Sequence, residues 1–229
     1  MIRVTENLRK IRDLLAKAAA DAGRGPDSVQ LLAVSKKQPF SRLREAIEAG
    51  QRDFGENQVA EGVEKIRELA DSGLTWHFIG HLQTNKTRLV AEHFDWVHSV
   101  DRYKTAKRLS EQRPDKMGAL QVCIQVNVDA EKSKSGVAPE AAVELARQIV
   151  ELPRLKLRGL MCLPRIRKDF EAQRIPFSHL RELAEKLREA GIDTDTLSMG
   201  MSDDFRAAIF EGSTMVRIGT AVFGPREPV

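Results

Sequence analysis

Cysteine is scarce in this sequence, and its scarcity excludes two kinds of site. Only Cys123 and Cys162 occur, each inside an apolar run, and no Cys-x-x-Cys spacing is present. Two cysteines cannot form the disulfide framework of a small secreted domain, and their spacing is not that of a zinc site. We expect both to be buried, reduced thiols.

Long hydrophobic runs are also missing. No segment approaches the ~20 apolar residues that cross a bilayer, and residues 1–15 mix acidic with basic side chains, unlike a signal or transit peptide. The composition, 41% hydrophobic and 31% charged, is typical of a globular protein with a full core. We therefore expect a cytoplasmic protein without a membrane partner.

The excess of positive charge is slight. The sequence has 37 Lys and Arg residues against 33 Asp and Glu, and the two signs are interleaved. The densest basic stretch, residues 164–168, is short and has no aromatic residue among its bases. Such charge solvates helix surfaces more often than it binds a phosphate backbone, so we expect no nucleic-acid partner.

What the sequence does contain is an alternation of strand-like and helix-like segments. Short apolar runs lie at 30–35, 52–55, 76–80, 95–100, 120–128, 155–163, 196–200 and 215–219. Amphipathic stretches separate them, and an additional helix is predicted at about 5–22. Eight strand–helix units fit an open doubly wound sheet or a closed barrel. Because eight strands close a barrel, we predict an α/β fold, a single TIM-type (β/α)8 barrel over residues 1–229.

Lys36 is the first candidate functional residue, because the active face of such a barrel lies at the carboxyl ends of its strands. It follows the first predicted strand, QLLAVS. Burial there disfavours the ammonium and favours the neutral, nucleophilic amine that Schiff-base formation with an aldehyde requires. The alternative is an ordinary lysine that reaches solvent or pairs with Glu56.

Two segments near the end of the sequence are candidate phosphate-binding elements. Ser202 is predicted to open a helix after the seventh strand, where free N–H groups and its hydroxyl attract an anion. Gly219 and Thr220 follow the eighth strand and add backbone donors and a second hydroxyl. Alternatively, Ser202 is only an N-cap and Gly219 only a tight turn. Together they occupy the places where these barrels commonly bind phosphate.

Arg217 lies two residues before Gly219 and therefore on the same side of its strand. Inside the barrel mouth it needs an acceptor, and a pyridine nitrogen would serve, since a guanidinium only donates hydrogen bonds. The alternative is an ion pair with Asp203, Asp204 or Glu211.

The histidines give no sign of a metal site. His77 and His81 have a helical metal-pair spacing but lie in a predicted strand, and His98 shows no clustering with acids or cysteines. We assign no metal.

Several long motifs resemble the YggS/PROSC-type pyridoxal 5′-phosphate (PLP) homeostasis proteins. They are LLAVSKKQP (31–39), DFGENQVAEGVEK (53–65), WHFIGHLQTNK (76–86), VNVDAEKSKSGV (126–137), RGLMCLP (158–164) and LSMGMSDDFRAAIFEGSTMVRIGTAVFGPR (197–226). The resemblance covers nearly the whole chain and implies a fold-type III PLP barrel, similar to the N-terminal domain of alanine racemase. It implies six cofactor-binding residues: Lys36 as the Schiff-base lysine, Asn57 beside the cofactor, Ser202, Gly219 and Thr220 at its phosphate, and Arg217 at its pyridine nitrogen.

The same resemblance implies a protein that binds and delivers PLP, with apo PLP-dependent enzymes as recipients and with no catalytic residue. The alternative is an amino-acid racemase or decarboxylase of fold-type III. Such racemases take a catalytic tyrosine from a second domain, whereas this sequence ends about ten residues after its eighth strand, and its only tyrosine, Tyr103, is predicted in a surface helix. We therefore expect a PLP carrier involved in vitamin B6 and amino-acid homeostasis, and a monomer. A barrel that binds another phosphorylated metabolite is the third possibility, because one fold hosts many functions.

Overall fold

Eight parallel strands close into a barrel in the computed structural model, which describes residues 3–131 and 134–225 except for the side chain of Asp71. The strands are β1 (Gln30–Val34), β2 (Asp53–Glu56), β3 (Thr75–Phe78), β4 (Trp96–Val100), β5 (Leu120–Val126), β6 (Leu155–Cys162), β7 (Thr196–Ser198) and β8 (Met215–Ile218). Each predicted strand is present to within a few residues, and the predicted barrel is confirmed. Lys132 and Ser133 of the motif at 126–137 lie outside the described residues.

Helices follow the strands in the order that the sequence pattern predicts. In the part of the chain that the structure describes they are α1 (Val4–Asp21), α2 (Phe40–Glu48), α3 (Val59–Glu68), α4 (Thr87–His93), α5 (Tyr103–Gln112), α6 (Pro139–Val150), α7 (Phe170–Glu189), α8 (Phe205–Phe210) and α9 (Thr220–Phe223). The helix α1 precedes the first strand, as predicted. None of these helices has the length and apolarity needed to span a membrane.

The helix α7 begins at Phe170 and contains a proline, Pro176, near its start. A proline removes one helical N–H donor and usually ends a helix. Here the Asp169 side chain accepts the N–H of Ala172 at 2.8 Å and stabilises the first turn.

Pairing of β1 with β8 closes the barrel. Their register runs from Gln30 beside Met215 to Ala33 beside Ile218, and β1 pairs with β2 on its other edge. All strands are parallel, so their carboxyl ends form one rim. The loops that carry the candidate site residues therefore meet at this rim.

The buried apolar side chains form two clusters. The outer face and the helices share one large apolar core, with buried residues such as Phe54, Phe78 and Phe177. A second, small cluster consists of Trp96, Cys123 and Met161.

Both cysteines are buried and reduced, as expected, and burial raises the pKa of each thiol to about 12.

We expect Gly159→Ala to destabilise the barrel. An added Cβ at this position on β6 would lie 1.8 Å from the carbonyl oxygen of Thr196 on the neighbouring strand β7, so the two strands would have to separate. The expected loss of unfolding free energy is about 3 kcal/mol, measured by urea denaturation. Gly25→Ala is the control, since a Cβ there meets no atom within 4 Å. Equal stability of the two variants would contradict the close approach of β6 and β7.

Candidate functional site

The six residues proposed from the sequence lie at four strand ends around the β1–β8 seam. Lys36 follows β1 by two residues and Asn57 directly follows β2; Ser202 comes four residues after β7, and Arg217, Gly219 and Thr220 lie at the end of β8 and just beyond it. These four strands are consecutive around the closed barrel, in the order β7, β8, β1, β2. Lys36 and Asn57 come from the first quarter of the sequence, and the other four residues come from its end. The structure therefore brings both groups to the same part of the rim.

A buried ammonium supports the turn that carries Lys36. The Lys65 Nζ donates to the carbonyl oxygen of Ser35 at 2.7 Å, to Glu56 Oε1 at 2.8 Å and to Glu61 Oε1 at 2.7 Å. These bonds use all three donors of a lysine ammonium. Because one acceptor is the residue before Lys36, the ammonium ties the start of the turn to β2 and α3.

The other end of the same turn is anchored as well. The backbone N–H of Lys37 donates to Glu61 Oε1 at 2.5 Å, and Lys37 has a φ of 57°, a left-handed conformation that residues other than glycine rarely adopt. The Ser35 hydroxyl donates to Glu56 Oε1 at 2.6 Å. The backbone is thus fixed on both sides of Lys36, which limits the directions that its side chain can take.

The cluster depends electrostatically on each of its members. Burial raises the pKa of Glu56, while the Lys65 ammonium and the Ser35 hydroxyl favour its charged form. Removing one partner of a buried ion pair leaves an uncompensated charge, which costs about 3–5 kcal/mol. The sequence left open a pairing of Lys36 with Glu56; the hydrogen-bond partners that the structure gives Glu56 are Ser35 and Lys65.

Ser202 lies in a turn, so the prediction that it opens a helix is wrong. The N–H groups of Asp204 and Phe205 both donate to the carbonyl oxygen of Met201, and Asp204 Oδ1 accepts the N–H of Met201 at 2.6 Å. This closed turn delays the start of α8 to Phe205. Within the described ranges, the N–H groups of Ser202 and Asp203 donate to no backbone acceptor.

The end of β8 presents similar donors next to this turn. Among the described residues, no backbone acceptor pairs with the N–H groups of Gly219 and Thr220. The N–H of Arg217 donates to the carbonyl oxygen of Gly200 at 2.9 Å, which keeps the two segments side by side. A Cβ on Gly219 would lie 3.1 Å from the carbonyl oxygen of Val34, so the glycine allows the end of β8 to approach the end of β1 closely.

Arg217 is buried and bound to uncharged acceptors. Its Nη1 donates to the carbonyl oxygen of Ser198 at 2.5 Å and to the Ser198 hydroxyl at 2.7 Å, and its Nη2 donates to the carbonyl oxygen of Cys162 at 2.8 Å. The guanidinium thus joins the carboxyl ends of β6, β7 and β8. Burial lowers the pKa of Arg217. Of the carboxylates considered from sequence, Glu211 pairs with Arg174 and Arg181.

His98 contacts a second histidine, a pairing that the sequence did not indicate. His98 Nε2 lies 2.9 Å from His77 Nδ1, and His77 Nε2 lies 3.1 Å from Asp53 Oδ1. The three residues come from three strands, so their spacing in the sequence gives no local signal. Across the residues described, no group of His, Cys, Asp and Glu side chains is arranged to hold a metal ion.

Sequence reasoning also missed Lys65 and Glu61. Their only local signal is an acid–lysine pair four residues apart on α3, which is the ordinary spacing of exposed helix pairs. Lys65 is instead only 5% exposed in its side chain. Ser35, which had no assigned role, proves to be part of the same cluster.

Comparison with known proteins settles the family. The family described as the N-terminal domain of alanine racemase matches residues 3–227. The chain belongs to this family. The resemblance seen in the sequence motifs is thereby confirmed.

Curated proteins match this chain along nearly its whole length. The pyridoxal phosphate homeostasis protein of Pseudomonas aeruginosa strain PAO1 is 55% identical over 227 residues, which are 99% of this chain and 97% of that protein. The protein of the same name from Escherichia coli strain K12 is 53% identical, and the match covers 98% of this chain and 97% of that protein.

Solved structures of the family agree with the fold. Two structures of PipY from Synechococcus elongatus PCC7942, one without PLP and one with PLP bound, have TM-scores of 0.87 and 0.84 at 38% and 37% identity. Each covers 96% of this chain and 100% of the PipY chain. An alanine racemase of Clostridium difficile 630 has a TM-score of 0.74 at 17% identity, and the match covers 57% of that chain; this similarity shows the fold alone.

We expect Lys65→Met to lower the unfolding free energy by about 3–5 kcal/mol, because Glu56 would remain buried without its ammonium partner. Lys10→Met is the matched control, since Lys10 forms an exposed pair with Glu6; its effect should stay below about 1 kcal/mol. Urea denaturation measures both. Adding Glu56→Gln to Lys65→Met should recover part of the loss, and a further loss would contradict an electrostatic origin.

Proposed function

We propose that this chain binds PLP, holds it covalently through Lys36 and takes part in PLP and amino-acid homeostasis as a carrier without catalytic turnover. The observation that carries the proposal is the seam between β1 and β8, where the anchored turn of Lys36 adjoins the N–H groups of Gly219 and Thr220. The names of the curated relatives and the PipY structure with PLP bound support the same function.

The chemistry of the donors at this seam suits PLP. When bound, PLP supplies an aldehyde carbon for amines and a pyridine ring that withdraws electrons. Lys36 offers the amine and is partly buried. Asn57, one strand away, offers a side-chain amide beside it.

The phosphate would be held by Ser202, Gly219 and Thr220. The turn at Ser202 and the end of β8 each present N–H groups without a backbone acceptor in the described residues, and two side-chain hydroxyls add to them. Successive backbone N–H groups of this kind form concave anion sites. Gly219 has no side chain that would obstruct the approach of a phosphate.

Arg217 would face the pyridine nitrogen. Three of its five N–H donors are used by Ser198 and Cys162, which leaves the Nε–H and one Nη2–H. A guanidinium donates and never accepts, so Arg217 stabilises the unprotonated nitrogen. That state makes the ring a weaker electron sink, which suits holding the cofactor better than turning over an amino acid.

An amino-acid racemase or decarboxylase is the alternative function. A racemase needs a second base opposite its lysine. The only tyrosine in the sequence, Tyr103, is the first residue of α5, is 41% exposed and follows β4, three strands from β1. The carrier is therefore favoured, as a cytoplasmic monomer that delivers PLP to apo PLP-dependent enzymes.

We expect Lys36→Ala to abolish covalent loading with PLP. Wild-type chain incubated with PLP and treated with borohydride should carry one cofactor on Lys36, detected by peptide mass spectrometry, and the alanine variant should carry none there. Lys37→Ala is the matched control, because this neighbour is exposed. Labelling of Lys36→Ala to the wild-type level, or no uptake by the wild type, would overturn the proposed function.

The carrier and the enzyme are distinguished by what the loaded chain does. We expect it to activate an apo PLP-dependent enzyme at least as fast as an equal concentration of free PLP does. Incubated with single amino acids, it should produce neither the opposite enantiomer nor the decarboxylated amine, measured by chiral chromatography. Turnover of any amino acid that depends on Lys36 would favour the enzyme.

A further inference from the structure

One chain of hydrogen bonds crosses the interior of the barrel. It runs from Asp53 on β2 through His77 on β3 and His98 on β4 to Ser198 on β7, and ends at Arg217 on β8. Successive distances are 3.1 Å, 2.9 Å, 2.8 Å and 2.7 Å. The strands β4 and β7 are not neighbours in the barrel, so the contact between His98 and Ser198 spans its interior.

Burial makes correct pairing in this chain energetically important. His77, His98 and Ser198 are fully buried and Arg217 is 4% exposed. The ring of His77 also stacks on Trp96, with centroids 5.3 Å apart and an angle of 18° between the planes, which fixes the orientation of the imidazole. An unsatisfied donor or acceptor at such a position costs about 1–3 kcal/mol.

With both imidazoles neutral, the two ends of this hydrogen-bond chain determine its direction. The guanidinium of Arg217 only donates and a carboxylate at Asp53 only accepts. His77 therefore donates its Nε2–H to Asp53 and accepts at Nδ1. His98 in turn donates its Nε2–H to His77 and accepts at Nδ1 from the Ser198 hydroxyl, whose oxygen accepts from Arg217. Every link then has one donor and one acceptor.

The reverse arrangement is unfavourable. With both rings neutral, a hydrogen on Nδ1 of His77 would leave its bare Nε2 facing the Asp53 carboxylate, so that two acceptors would meet at 3.1 Å. Burial lowers the pKa of His98 well below its ordinary value, which agrees with a neutral ring at this position. Burial raises the pKa of Asp53, but its interactions with His77 and Gln30 outweigh burial and keep the pKa below its ordinary value.

We infer that Ser198, His98, His77 and Asp53 are positioning residues for Arg217. This inference rests on the proposed function, in which Arg217 faces the pyridine nitrogen of PLP. The Ser198 hydroxyl, oriented by this hydrogen-bond chain, is the neutral acceptor at one edge of the guanidinium. It thereby holds the guanidinium in the orientation in which the Nε–H and one Nη2–H remain for the cofactor. The residue Asp53, at the opposite end of the barrel, thus contributes to the cofactor site through four hydrogen bonds.

The variant Ser198→Ala removes two hydrogen bonds of this chain, those of the Ser198 hydroxyl with His98 and with Arg217, and leaves the backbone carbonyl of residue 198 in place for Arg217. We expect PLP to bind about tenfold more weakly, since one buried hydrogen bond to a charged group is lost. The absorption spectrum of the PLP-loaded variant should also shift, because Arg217, the proposed partner of the pyridine nitrogen, is less well oriented. Fluorescence titration with PLP and absorption spectroscopy measure the two effects.

The matched control is Ser213→Ala. Ser213 is equally buried and lies between β7 and β8, but its hydroxyl donates to the carbonyl oxygen of Met199 and takes no part in the chain. It should change stability without changing PLP affinity or the spectrum. Because Ser198 acts through Arg217, Ser198→Ala should have no further effect on affinity in an Arg217→Met background.

Histidine tautomers give a readout that loss of stability alone would not produce. Nitrogen-15 NMR of the full chain should show both His77 and His98 with hydrogen on Nε2. Hydrogen on Nδ1 of either ring, or PLP affinity and spectra of Ser198→Ala equal to those of Ser213→Ala, would overturn the inference while leaving PLP binding intact. If the wild type takes up no PLP, the proposed function fails, and this inference fails with it.

Discussion

The parallel pairing of β1 with β8 is the constraint on which the site depends. It joins the first strand to the last and brings Lys36 next to Gly219 and Thr220, which lie more than 180 residues later in the sequence. Gly219 makes the approach possible, since a Cβ there would press against the carbonyl oxygen of Val34. An amine and a set of anion-binding donors therefore meet because the sheet is closed, and an open sheet of the same strands would separate them.

Two polar networks lie within an otherwise apolar wall. One surrounds the Lys65 ammonium and fixes the turn of Lys36; the other crosses the barrel from Asp53 to Arg217. Each is buried, so its groups must be satisfied by one another rather than by water. This requirement makes both networks rigid, and rigidity is what a site needs to hold an amine and a guanidinium in fixed places.

The fold is shared with alanine racemase, but a shared fold does not by itself establish a shared chemistry. Similarity at 17% identity to a racemase that is much longer than the matched region establishes the barrel and leaves the chemistry open. The chemistry depends on the side chains: a lysine on an anchored turn, and an arginine whose remaining donors suit an unprotonated nitrogen.

The sequence by itself determined the strand and helix order, the barrel and the candidate residues at the strand ends, because periodicity and turn chemistry are local properties. It also placed Lys36 and Gly219 just after their strands and Arg217 on the eighth strand. Only the tertiary structure decided that Lys65 is buried and that His98 and Asp53 belong to one network. Lys65 has the spacing of an exposed helix pair, and the histidines lie on different strands. Their roles arise from contacts between residues far apart in the chain, which no local pattern records.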